Sequence, residues 1–321
     1  MDKNRKKILI IKLGYSETLD REIEKIPSLG DVLRTTVVLH LFKKDFVTWL
    51  VDEKAYPLLR DNKYIAKVLI YNKGEFLKIQ RQQYDIVINF EKDPEICLFS
   101  DSIKSKRHYG FRFDKDEGKI KYYDGSEGAF EICNDIEVKR CNEKYWQQII
   151  MEMVHGEWKQ QNYVLGYKPK SKIKYDVGLN WAVGVKWPNK AWPKEYWERL
   201  SNLIKGRYTY SWQEGLDGIC DYIEWINSCR LLVTSDSLCQ HIALALKRKV
   251  IILYGPTHSN ETYLYGRGKE LLPEVDYKCV PCLKNKCRQE KSCMGFIYPK
   301  RVDNEINKIL DKNLQKNFNY G

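Results

Sequence analysis

The chain has 321 residues, 43% hydrophobic and 31% charged, with a formal net charge of +12. Its 22 Tyr, 10 Phe and 9 Trp exclude general intrinsic disorder, and 19 Gly with 10 Pro exclude collagen-like and low-complexity classes. At about 100–200 residues per domain this length predicts two domains, and the positive charge predicts an anionic partner: nucleic acid, an anionic membrane face or a nucleotide-linked substrate.

The basic start, residues 1–7, is followed by an apolar run that ends at Lys12. That run is too short for a signal-peptide core and reads as a first strand, 8–12. No stretch approaches the roughly 18 apolar residues of a membrane span. The expectation is a cytoplasmic protein whose ten Cys stay mostly as thiols.

Further along, apolar spacing predicts a helix over 31–42, strand 46–51, a short helix over 53–60, strands 67–71 and 85–90, and a helix over 142–155. Residues 166–172 read as a linker. The pattern then restarts: strand 175–180, helices 194–205 and 218–229, strand 230–234, helix 237–246, strand 249–254, and a last helix over 302–314. Alternation of this kind predicts a doubly wound α/β sheet in each half.

In open parallel sheets ligands bind where strand ends lead into helix N-termini. Three such places stand out. After the first strand comes Gly14, a polar excursion over 15–27, and Ser28-Leu29-Gly30-Asp31 opening a helix. Asp31 reads either as a capping residue or as a general base, a role worth about 10²–10⁴-fold in rate. The loop over 181–193 carries Lys186 and Lys190, either a solvated basic loop or a phosphate grip at a helix entrance. Thr234-Ser235-Asp236-Ser237, before the helix with His241, and Gly255-Pro256-Thr257 offer hydroxyls and amides to a pyrophosphate, or ordinary caps. His241 alone on an apolar helix reads first as a core histidine.

Cys279, Cys282, Cys287 and Cys293 form a C-x2-C-x4-C-x5-C segment. Tetrahedral thiolate ligation of zinc or iron, disulfides and free thiols are the three readings, and a metal here is structural. Neither G-x-G-x-x-G nor G-x-x-x-x-G-K-[ST] occurs, so dinucleotide and P-loop readings lose their main support. Asp114-Lys115-Asp116, in the charged run 112–121, reads as a solvated loop.

The sequence resembles glycosyltransferase family 9, the ADP-heptose:lipopolysaccharide heptosyltransferase family. The resemblance is carried by residues 8–14 with Ser28-Leu29-Gly30-Asp31-Val32-Leu33-Arg34-Thr35-Thr36, by Lys190-Ala191-Trp192-Pro193 with Trp197, by the stretch from Ile226 to His241 that includes Asp236-Ser237, by Gly255-Pro256-Thr257 and by the cysteine segment. It implies a GT-B fold, two Rossmann-like domains facing across a cleft: an acceptor domain over 1–168, a nucleotide-sugar domain over 173–300, and a helix over 301–321 packing back across them. It also implies Asp31 as the base, with Gly14, Ser28 and Gly30 in the acceptor-side loop. Lys190, Asp236, Ser237, His241, Glu214 and Thr257 fall at the donor. Leu238 stands where the family has a small Gly, and Cys239 where Pro is common.

The implied activity is inverting transfer of a heptose, from ADP-heptose, to lipopolysaccharide inner core at the inner membrane face. No cofactor is expected for catalysis, and a structural zinc or iron at the cysteines stays one of the three readings. The alternative of the same chemistry is O-heptosylation of a bacterial surface protein. A nucleic-acid-binding module built on the cysteines and the positive charge leaves the paired α/β loops unexplained, so no nucleic-acid partner is expected.

Overall fold

The computed structural model describes residues 5–15 and 26–318, with side chains up to 311. The chain divides into two compact units. Met1–Tyr167 with Asn260–Tyr263 forms the first, and Lys168–Ser259 with Leu264–Gly321 the second.

The first unit is built on β1 (Lys7–Ile11), whose last four residues are fully buried. A run without a polar face suits a strand covered on both sides. It pairs in parallel with β2 (Phe46–Val51) and β4 (Gln83–Asn89). With β3 (Lys67–Ile70), β5 (Lys104–Asp114) and β6 (Lys119–Tyr122) the order is β3-β2-β1-β4-β5-β6, and only β5–β6 is antiparallel. The strand order reverses between β1 and β4. There the buried Glu91 accepts the amides of Leu13 and Gly14, both at 2.7 Å, with Lys12 Nζ at 3.5 Å.

The helix expected over 31–42 divides into α1 (Leu29–Thr35) and a 3₁₀ turn, Thr36–His40. Thr35 and Thr36 donate their hydroxyls back to the carbonyls of Asp31 (2.7 Å) and Leu33 (2.6 Å). Such back-bonding, in a β-branched run continued by Val37 and Val38, loosens a regular helix. After α2 (Tyr56–Leu59) come two helices that apolar spacing missed, α3 (Lys73–Gln80) and α4 (Pro94–Asp101). Their signals are caps. Asn72 accepts the Glu75 amide at 3.0 Å, and Asp93 accepts those of Glu95 (2.9 Å) and Ile96 (3.1 Å). Helices α5 (Glu127–Asn134), α6 (Ile136–Cys141) and α7 (Trp146–Glu152) follow. The charged run 112–121 forms the β5–β6 hairpin rather than a loop. Its Asp114 carboxylate accepts the amides of Asp116 and Glu117, both at 3.1 Å, so the D-x-D pair is spent on a turn.

The second unit is all parallel: β7 (Tyr175–Asn180), β8 (Tyr210–Trp212), β9 (Cys229–Ser235), β10 (Lys249–Leu253) and β11 (Gly268–Leu271), in the order β11-β10-β9-β7-β8. Helices α8 (Lys194–Ile204), α9 (Ile219–Asn227) and α10 (Leu238–Ala245) cover it. Trp192 and Trp197 meet edge to face at 4.9 Å in its core. The last helix, α11 (Pro299–Phe318), puts Val302, Ile306 and Leu310 into that same core. The order reverses between β7 and β9, so the loops after these strands diverge and leave a crevice edge at the C-terminal ends. Among the described residues no helix is long and apolar enough to cross a membrane.

Gly110 tests the β4–β5 pairing. Its φ is +90°, and a Cβ there would lie 1.9 Å from the Asn89 carbonyl oxygen. Gly110→Ala should cost more than about 1–2 kcal/mol and lower the urea midpoint. An unchanged midpoint contradicts this register.

Candidate functional site

In the second unit, four sequence-selected residues meet beyond β7, β9 and β10. The loop after β7 ends in a 3₁₀ turn, Pro188–Lys190. Lys190 Nζ donates to Asp236 Oδ2 at 2.6 Å and lies 4.9 Å from the centre of the Trp187 ring. Asp236 follows β9 directly, and its other oxygen accepts Gln240 Nε2 at 2.8 Å. The two charged side chains are 12% and 17% exposed, so the pair is largely shielded from water. Burial pushes the Asp236 carboxyl up. The Lys190 ammonium, helped by His241 and the Thr257 hydroxyl, outweighs that and holds it at about 2.

Ser237 caps α10, accepting the Cys239 amide at 3.3 Å, and lies 3.0 Å from the Thr234 hydroxyl. His241 is buried on α10, its Nε2 3.4 Å from Gln240 Nε2. Thr257, after β10, is buried too. Lys186 is only 6% exposed, so it is not part of a solvated basic loop. Glu214 stands exposed beyond β8, outside this hydrogen-bonded cluster.

In the first unit, Gly14, Ser28, Gly30 and Asp31 form one corner. Gly14 turns at φ +96°, and its carbonyl accepts the Ser28 amide at 2.7 Å. Ser28 holds the N-cap position of α1 without a side-chain capping bond. Gly30 and Asp31 lie in the first turn. Asp31 is therefore not the cap. Its Oδ1 accepts Arg34 Nη2 at 2.6 Å, one turn on, and Arg34 is buried with its guanidinium 5.4 Å from the centre of the Trp146 ring. The guanidinium fixes the carboxylate from below. Most of the excursion over 15–27, namely 16–25, lies outside the described residues.

Cys279, Cys282, Cys287 and Cys293 line one small cavity with Asn189 and Pro256. None of the four is in a disulfide, and burial followed by the charges of the other three pushes the Cys293 thiol up to about 11. Four sulfur donors suit zinc or iron chemically. Among the described residues, however, no three His, Cys, Asp or Glu side chains stand gathered as ligands.

With this geometry in place, known proteins can be compared. The family described as glycosyltransferase family 9 (heptosyltransferase) matches residues 219–293, which include Asp236, Ser237, His241 and Thr257. Lipopolysaccharide heptosyltransferase 1 of Pseudomonas aeruginosa is 25% identical over 165 residues, 40% of this chain and 46% of that protein. The chain thus matches under half the length of this curated relative. The solved structure of the E. coli heptosyltransferase WaaC with ADP-2-deoxy-2-fluoro heptose superposes with a TM-score of 0.60, 15% identity, and coverage of 94% of this chain and 99% of that one. This chain is a relative of glycosyltransferase family 9. Its fold is GT-B, made of two Rossmann-like domains. The iron-containing dodecameric glycosyltransferase TibC from enterotoxigenic E. coli is also similar, with a TM-score of 0.56, 12% identity and coverage of 97% and 77%.

Sequence reasoning missed Gln240 and Arg34, the residues that hold the two acids. Their signal was spacing: Arg34 is three residues after Asp31 on one face of α1, and Gln240 lies in the first turn of α10, four residues after Asp236, which precedes that helix.

The Lys190–Asp236 pair makes a pH prediction. Asp236 is depressed below the free carboxyl value of about 3.9, so its contribution to stability is full above that pH and is lost as pH falls toward 2. In Lys190→Ala burial acts without its main opponent. The Asp236 titration, followed by carboxyl ¹³C NMR, should move upward and acid unfolding should begin at higher pH. A titration that stays in place removes Lys190 as the cause.

Proposed function

We propose that this protein is an inverting glycosyltransferase that moves a heptose from a nucleotide-diphosphate sugar, ADP-heptose, to a hydroxyl of lipopolysaccharide inner core. The observation that carries the reading is the Lys190–Asp236–Gln240 cluster at the reversal of the second sheet, largely within the family-matched segment. It is supported by the likeness to WaaC, solved with a fluorinated ADP-heptose.

The work divides between the units. Asp31 takes the proton from the acceptor hydroxyl as its oxygen forms the new bond to the anomeric carbon. The bond from that carbon to the diphosphate oxygen breaks, and its electron pair leaves with ADP. A Lys ammonium has three N–H donors, so Lys190 can keep one on Asp236 and turn others to the phosphate oxygens as charge develops there. Asp236 and Gln240 fix the ammonium beforehand, so little reorganisation accompanies bond breaking. Leu238, the first residue of α10, stands where the family has a small Gly and would reshape the sugar or phosphate pocket. A structural zinc or iron would need the four cysteines, which do not stand gathered as ligands among the described residues, and no step of the transfer passes through one. The basic surface would meet anionic lipid and phosphorylated core sugars at the cytoplasmic membrane face.

A second reading keeps the chemistry and changes the acceptor to a bacterial surface protein. It is favoured by the four-cysteine segment together with the likeness to iron-containing TibC.

The deciding experiment combines donor and base. A thermal-shift screen should single out the ADP-sugar over GDP-, UDP- and dTDP-sugars. Asp31→Ala should lower kcat by about 10²-fold or more while ADP affinity holds. Near-normal turnover in that variant ends the base assignment. Labelled heptose appearing on a candidate adhesin but not on lipid core selects the second acceptor.

A further inference from the structure

The four-cysteine segment touches both loops that carry the donor cluster. Asn189, next to Lys190 in the 3₁₀ turn, donates its side-chain amide to the Lys284 carbonyl, between Cys282 and Cys287. Its own carbonyl oxygen is buried without a partner beside the thiols. From the other side, the Leu283 amide donates to the Pro256 carbonyl at 2.7 Å, one residue before Thr257. Leu283 adopts φ +53°, a left-handed conformation costly for a branched side chain, to make this contact. At the far end of the segment, Cys293 and Met294 press on Gly255. A Cβ there would lie 2.9 Å from the Cys293 sulfur and 2.5 Å from that of Met294.

We infer that the cysteine segment is a strut for the donor site, with Asn189 as the positioning residue that transmits the state of the thiols to Lys190. This rests on the donor-site reading above. The turn Pro188–Lys190 is only three residues long, so a shift of Asn189 carries Lys190 with it. Thr257 is tied in the same way through Pro256. Alkylation of the half-exposed Cys279 and Cys282 or the exposed Cys287 therefore changes the grip on a nucleoside diphosphate.

The test uses ADP as probe, titrated calorimetrically into the full chain, with donor KM and kcat measured in parallel. Losing one hydrogen bond of about 1 kcal/mol, Asn189→Ala should weaken ADP about fivefold and raise donor KM, with acceptor KM unchanged. Asn189→Gln, which keeps the amide donor, should restore most of it. Cys282→Ser should weaken ADP as well, and the double variant should lose less than the sum of the two. Lys190→Ala is the control. If it binds ADP like the wild type, the donor-site reading falls. If it weakens ADP while Asn189→Ala and Cys282→Ser do not, or if their effects simply add, the strut is overturned and the donor site stands.

Discussion

The Lys190–Asp236 ion pair is the contact around which the second unit's chemistry is arranged. An ammonium and a carboxylate so shielded from water cost several kcal/mol each to desolvate, and only close pairing with further hydrogen bonds offsets that. Gln240 takes the second carboxylate oxygen and the Trp187 ring faces the ammonium, so neither charge is left to water alone. Breaking such a pair by deleting one partner is costly, whereas meeting a phosphate is not, because the ammonium exchanges part of one anion for another. The pair holds an ammonium, largely shielded from water, at the edge of the second sheet.

The topology explains why the pair forms where it does. Strands β7 and β9 are neighbours, yet their following loops diverge because the strand order reverses between them. The β7 loop brings Lys190 and the β9 end brings Asp236. The first unit repeats the principle with a different acid. Asp31 sits in the first turn of α1, and Arg34 fixes it from the next turn.

Much of this was legible in the sequence. A continuous apolar run marked β1, strand-like segments marked β7, β9 and β10, and Asp31, Lys190, Asp236 and Thr257 were chosen from loop position and family resemblance. What was not legible has physical reasons. Helices α3 and α4 carry weak apolar periodicity and depend on their caps at Asn72 and Asp93. The hairpin over 112–121 looked like a solvated loop because its pairing lies in backbone hydrogen bonds, while its side chains are those of a surface. Gln240 and Arg34 have no chemistry of their own to advertise and matter only through the acid each one holds. Glu214 was chosen on a loose match and stands outside the cluster.

One detail at the end of β1 separates the two halves. The amides of Leu13 and Gly14 converge where a doubly wound sheet ordinarily receives a ligand's pyrophosphate. In this chain Glu91 already occupies both donors from within, with Lys12 neutralising it. The first unit is thus plugged by its own built-in anion and closed to nucleotide at that turn. The two similar sheets thus differ at their reversal points, one holding a glutamate on its own loop amides and the other a lysine on an aspartate.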